Sequence, residues 1–290
     1  MAKKKFLSVG LEMAINHIDH CDFDSDPSLL DWDIIFLKPA IYKFVSYADY
    51  YQGKPDLSDS SSVWLKERSE HWRREIKDAV EAGKTIIVFL ADLFEVFIDT
   101  GRRESSGTGR NRKTTRIVER YDNYRCISED ISPVKTKGSV MKLTPRGTEL
   151  LAGYWKAFAK YSHYKVVLTG EDVPALITTE KGNKTVGAIY KNKNSNGALV
   201  LVPDIDFYHD DFLEVTDGGQ VWTQAAIHFA AQMLKVIVSL DKTLKAEGES
   251  TPKKIGQRRQ GSEDGGQKVG RLEDRKVIQK LGIRRQKVRR

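Results

Sequence analysis

Residues Thr85–Leu90 read TIIVFL, six consecutive apolar or β-branched positions with no polar alternation. A strand with one wet face alternates, whereas a strand buried on both faces does not. The stretch directly follows a helix signal. Ser58–Ser62 offers N-caps, and Trp64, Trp72, Ile76, Ala79 and Val80 share one face at helical spacing. Gly83 follows Ala82 as a terminator. A doubly buried strand fed by a helix implies a parallel sheet covered on both faces. Outward from this core, Lys4–Val9 closes at Gly10, and Trp32–Leu37 (WDIIFL) closes at Pro39; both are short apolar runs of the same kind. Residues 16–28, polar and rich in Asp and His, read as a loop.

Downstream, Asp99–Arg116 holds no aliphatic or aromatic residue, so it predicts an exposed loop. Thr144-Pro145 opens a helix with Leu151, Tyr154, Trp155 and Phe158 inward. Short strands come next at Tyr164–Leu168, Ala175–Thr179 and Thr185–Tyr190, the last two joined by the turn signal Glu180-Lys-Gly-Asn183. Asn194-Ser-Asn-Gly197 leads into Ala198–Val202 (ALVLV). A closing helix over about 220–246 carries Trp222, Ala226, Phe229, Met233, Ile237, Leu240 and Leu244. The order predicts an α/β fold: a flavodoxin-like, mostly parallel sheet with helices on both faces and a late antiparallel hairpin.

Composition locates the charge. The chain has 290 residues, 40% hydrophobic and 30% charged, enough for a core and too apolar for a wholly disordered chain. Its net +8 is misleading. Residues 251–290 hold 14 Lys+Arg against 4 Asp+Glu, leaving residues 1–250 with 34 basic and 36 acidic side chains. The sequence therefore divides into a nearly neutral domain over 1–248 and a basic tail over 249–290. The tail, with no aromatic residue in 251–290, predicts disorder. Its two further readings are a basic arm for nucleic acid and a stretch read in a shifted frame. The longest apolar run, Ile86–Ala91, is far short of the roughly 20 residues a membrane helix needs. Glu12 and Asn16 interrupt the apolar residues after the basic start, so no signal peptide is expected. Cys21 and Cys126 are too few for a disulfide framework, which points to the cytoplasm.

From the closing half, the run "ALITTEKGNKTVGAIY", a turn, "GALVLVP" and a final helix resemble class I glutamine-amidotransferase-like domains. The resemblance lies in element order over residues 3–246, and it implies a flavodoxin-like sheet with TIIVFL ahead of a nucleophile elbow. The chain departs from that family where chemistry would sit. "FLADLFE" lacks Gly-x-Cys-x-Gly, and Pro203-Asp204-Ile205-Asp206 stands in place of His-Pro-Glu. A thiol nucleophile with its base is missing, so the resemblance implies a relative without that activity.

In an open parallel sheet, ligands gather beyond the strands' carboxyl ends. Three loops leave those ends with chemistry-bearing residues. The first, after Val9, holds His17, His20, Cys21 and Asp22 ahead of Asp24 and Asp26. It breaks the calcium-loop pattern at Pro27, leaving His17, His20 and Asp22 as an alternative metal set or a plain solvated loop. The second, after Leu90, holds Thr100, Gly101, Arg102, Gly107, Gly109, Arg110, Asn111 and Arg112. Glycines that free backbone N–H groups, beside arginines, suit a phosphate; the plain alternative is a solvated surface loop. The third gives Asp204, Asp206 and His209, a base pair for hydrolysis or ordinary helix capping. His71, His163 and His228 read as core or helix histidines.

The leading functional expectation is a non-catalytic cytoplasmic module that binds a nucleotide, a phosphorylated small molecule or a protein partner at the sheet's carboxyl edge, with no membrane role. Rival expectations are a hydrolase using Asp204, Asp206 and His209, with or without a divalent metal, and nucleic-acid binding through residues 251–290. No cofactor is indicated.

Overall fold

A computed structural model describes residues 4–15, 17–45, 48–128, 131–170, 173–192, 195–206, 212–216 and 219–249. In chain order come β1 (Phe6–Val9), β2 (Ile18–Cys21), β3 (Ile34–Leu37), β4 (Asp49–Tyr51), β5 (Lys54–Asp56) and helix α1 (Asp59–Glu81). Next are β6 (Thr85–Leu90), β7 (Glu95–Ser106), β8 (Lys113–Asp122), β9 (Ser132–Gly138), β10 (Met141–Leu143) and α2 (Pro145–Phe158). The remainder is β11 (Ser162–Thr169), β12 (Ala175–Thr179), β13 (Thr185–Lys191), β14 (Ala198–Ile205), β15 (Leu213–Thr216), β16 (Gly219–Trp222) and α3 (Gln224–Glu249). The basic stretch 251–290 and its predicted disorder lie outside the described residues.

The chain is a mixed α/β protein built on a ten-stranded sheet. Five strands run parallel in the order β2-β1-β3-β6-β14. β6 lies between β3 and β14, with Thr85 opposite both Ile34 and Ala198, and all six of its residues are buried. The unalternating TIIVFL run therefore has the surroundings its composition calls for. β14 is where direction changes: β11 and β13 pair it antiparallel, and β12, β10 and β9 extend that half. The antiparallel part is thus larger than one late hairpin.

Side chains alternate along the parallel strands between two hydrophobic clusters. Ile35, Leu37, Ile86, Val88 and Leu90 join Leu65, Trp72, Ile76 and Ala79 of α1. Ile34, Phe36, Ile87, Phe89, Val200 and Val202 join Leu151, Tyr154 and Phe158 of α2 and Phe229, Met233, Ile237, Leu240 and Leu244 of α3. α1 starts where Ser58 accepts from the Ser61 N–H, and α2 where Thr144 accepts from Gly147 ahead of Pro145. α3 is pinned by a wholly buried carboxylate, Asp241, which accepts from Thr85 Oγ1 (2.7 Å) and pairs with Lys245 (3.0 Å) and Lys4.

Four sequence expectations are corrected. Residues 16–28 contain β2, an edge strand whose middle residues Asp19 and His20 are exposed; its polar sequence conceals it. Within Asp99–Arg116, residues Gly101–Thr115 are exposed as expected and Asp99 is buried, but the stretch is not a loop: it forms most of a β7–β8 hairpin in a separate four-stranded sheet, β4-β5-β7-β8. Trp64 is 38% exposed rather than on the buried face of α1, because it lies beside Leu65 and off the stripe that Trp72 and Ile76 continue. Trp222 ends β16, so the last helix begins at Gln224, after Thr223. Among the described residues no helix is long and apolar enough to cross a membrane.

Candidate functional site

The carboxyl ends of β1, β3 and β6 converge on a pocket of about 240 Å³. Gly10 and Leu11 come from the end of β1. Lys38, Pro39, Ala40 and Ile41 follow β3, and Ala91, Asp92 and Phe94 follow β6. β1 lies between β2 and β3, so the pocket sits where successive connections leave in opposite directions, the crevice that favours ligands in open sheets. Gly10 makes the close approach possible. Its φ is +71°, and a Cβ there would lie 2.4 Å from the Lys38 carbonyl oxygen.

The walls are fastened to one another. Asn123, at the foot of β8, is buried and donates from Nδ2 to the carbonyls of Asp92 (3.0 Å) and Pro39 (3.3 Å). Its Oδ1 accepts from the Phe94 N–H (3.0 Å). Tyr124 donates to the Ala91 carbonyl (2.5 Å). One asparagine thus ties together the segments after β3, β6 and β8. The pocket's backbone is set before any ligand arrives.

Charge gathers at one side of it. Asp204, near the end of β14, is wholly buried. Its Oδ1 is 2.8 Å from Lys38 Nζ and accepts from the Ile205 N–H (3.0 Å), while its Oδ2 is 3.0 Å from Lys165 Nζ. Lys165 also reaches Asp92 (3.3 Å), whose side chain is 60% exposed. Antiparallel pairing of β11 with β14 sets His163 directly opposite Asp204, its Nε2 3.8 Å from Oδ2. Lys165, two residues further along β11, falls on the same face. Burial works against the Lys165 charge, but Asp204 and Asp92 together outweigh it and hold its ammonium above the ordinary lysine range. Lys165 is consequently a fixed cation at neutral pH, suited to holding an anion and not to nucleophilic attack.

The residues singled out from the sequence do not all meet here. Asp204 does, as a carboxylate locked between two lysines. Asp206 is exposed just beyond β14, and His209 lies outside the described residues. His17 is exposed, and His20, on β2, has Nδ1 3.3 Å from Ser8 Oγ and Nε2 3.7 Å from Asp22. Among the described residues no three His, Cys, Asp or Glu side chains are grouped to hold a metal ion. Burial, with Asp22 and Asp24 adding to it, pushes the Cys21 thiol up to about 12, and burial raises the enclosed Cys126 thiol as well.

Thr100, Gly101, Arg102, Gly107, Gly109, Arg110, Asn111 and Arg112 belong to the hairpin, whose foot touches the pocket and whose tip does not. Glu95 pairs with Asp122 at the foot and Ser106 with Lys113 near the tip. The length of strand between those two pairs places the tip arginines roughly 30 Å away. Lys38 and Lys165 were not apparent in the sequence as partners of Asp204, nor was Asn123 as the tie between the pocket's walls. The available signal was positional: Lys38 is the first residue after the apolar run Ile34–Leu37, at a strand's carboxyl end. No known protein family matches the chain, and neither does any curated protein or solved structure.

Proposed function

We propose that the chain is a ligand-binding module whose carboxyl-edge pocket takes a small anionic metabolite, one bearing a carboxylate or phosphate, on Lys165 and Lys38. The observation that carries this is the wholly buried Asp204 between two ammonium groups that also line the pocket. Lys165 divides itself between Asp204 and the exposed carboxylate of Asp92. An incoming anion replaces Asp92 and gains a stronger, less screened partner. A volume of about 240 Å³ falls below the roughly 300 Å³ at which pockets for drug-sized ligands begin, so the ligand is smaller than a nucleotide.

The strand order β2-β1-β3-β6-β14 and the clusters holding α1 and α2–α3 support a flavodoxin-like reading of the parallel half. The amidotransferase-like ancestry is inferred from element order, and the raised thiols of Cys21 and Cys126 disfavour a thiolate nucleophile. Hydrolysis by Asp204 has less support, because its carboxylate faces two lysines and no solvent.

The test is a melting screen with inorganic phosphate and small mono- and dicarboxylates. A ligand at 100 times its dissociation constant stabilises by about 2.7 kcal/mol. The ligand-induced shift is expected to vanish in Lys165→Met and in Lys38→Met, each measured against its own unliganded melt. An undiminished shift in both variants refutes the assignment.

A further inference from the structure

The β7–β8 hairpin presents a surface that the pocket does not explain. Every residue from Gly101 to Thr115 is exposed, so both faces of the ribbon stand clear of a core. Over residues 100–120 the sequence places seven Lys+Arg against two Asp+Glu, while the rest of residues 1–250 carries 27 basic and 34 acidic side chains. A ribbon of net +5 therefore projects from a body of net −7.

The seven cations divide into two groups. Arg103 and Arg116 sit directly opposite each other and share Asp59 in the first turn of α1 (2.7 and 3.2 Å). Arg103 also pairs with Asp99 (2.9 Å) and Arg116 with Asp56. These two clamp the hairpin to the helix. Arg102, Arg110, Arg112, Lys113 and Arg120 have no ion-pair partner among the described residues. The turn that carries Arg110 and Arg112 is constrained: Gly107 has φ +85°, and a Cβ there would lie 2.5 Å from the Asn111 carbonyl oxygen.

We propose that this ribbon is an arm that enters the major groove of double-stranded DNA. Two strands about 4.8 Å apart fit a groove about 12 Å wide, and the free span from Gly101 to the tip, roughly 20 Å, exceeds the groove's depth of about 8.5 Å. The shape selects among polyanions. The deep, narrow major groove of duplex RNA does not admit such a ribbon. Single strands are held by stacking on aromatic side chains, and Asp99–Arg116 has none. The rest of residues 1–250 is net acidic and repels phosphate, so within that domain the duplex meets the protein along the arm.

The test uses the full chain, so that residues 251–290 contribute equally to both proteins compared. The first protein is unaltered. The second carries Arg102→Gln, Arg110→Gln, Arg112→Gln and Lys113→Gln, all exposed positions where the fold and melting temperature should hold. Anisotropy of a labelled 20-bp DNA duplex is followed between 50 and 200 mM salt. Each lost phosphate contact lowers the log–log salt slope by about 0.9, so the variant's slope should fall by about 2–4. In competition at equal phosphate concentration, the unaltered chain should prefer duplex DNA over duplex RNA and single-stranded DNA, and the variant should lose that preference. Equal slopes for the two proteins overturn the proposal. So does equal competition by the three nucleic acids against the unaltered chain.

Discussion

Replacing Asp204 with Asn separates two effects that a merely structural carboxylate would not separate. Asp204 is wholly buried with Lys38 at 2.8 Å and Lys165 at 3.0 Å, and the lysine side chains are 22% and 28% exposed. Asn removes the negative charge and keeps the shape, leaving two ammonium groups facing each other. Breaking a buried ion pair from one side costs about 3–5 kcal/mol, and the lysines' partial exposure places this case at about 3. For a body of this size 1 kcal/mol moves the midpoint by about 2–4 °C, so the melting temperature should fall by about 6–12 °C. The phosphate-induced shift should move the other way and grow, because Asp204 then neutralises neither ammonium group and only the exposed Asp92 competes for Lys165. Combining Asp204→Leu with Lys38→Met and Lys165→Met removes the whole charge set and should recover most of the loss while abolishing binding. Scanning calorimetry with and without phosphate reads both quantities. A fall below about 2 °C in Asp204→Asn, or no recovery in the triple variant, refutes the reasoning.

Gly10→Ala forces a left-handed backbone on an L-residue and drives a methyl into the Lys38 carbonyl, so it should cost at least about 1–2 kcal/mol in urea unfolding; an unchanged midpoint would contradict the close approach. Iodoacetamide at neutral pH should modify Cys21 slowly, its thiol being held at about 12, and Cys126 only at the rate of global unfolding; rapid native labelling of Cys126 would show that its burial is wrongly placed. Burial alone would raise the Asp241 pKa, but Lys4, Thr85 and Lys245 outweigh it and hold the folded value below the ordinary 3.8. Its stabilisation is therefore present above 3.8 and lost as pH falls through the folded value. Asp241→Asn should lower stability at pH 7 and flatten the acid limb of the stability curve; a curve parallel to the unaltered protein's would contradict this.

The parts of the fold legible in the sequence are those written in apolar periodicity. TIIVFL, the Trp72–Ile76–Ala79 stripe, the Thr144-Pro145 helix start and the turn at Glu180–Asn183 each carry a local signal tied to burial or capping. The outer part of the β7–β8 ribbon, Gly101–Thr115, carries none, because its ladder is made by backbone groups while its side chains stay in solvent. β2 is illegible for a related reason: one neighbour suffices for an edge strand, and its exposed residues are polar. For the site, the location followed from strand polarity and the composition did not. Asp204 is conspicuous in sequence, but Lys38 lies 166 positions before it and Lys165 reaches it through the β11–β14 pairing. Such partners are fixed by topology.

The pairing of Thr85 with Ala198 also sets a clock on synthesis. β3 and α1 are complete by the time Leu90 has left the ribosome, but more than a hundred further residues must be made before β14 can cover the other side of β6. At about 5–20 residues per second, one edge of this buried strand stays open for roughly 5–20 s, long enough for another nascent chain to pair with it. Closing so long a loop also carries a larger entropic cost than a local hairpin, and non-local pairing of this kind slows refolding. The same central strand that gives the finished sheet its buried middle is, during translation, the segment most in need of a chaperone.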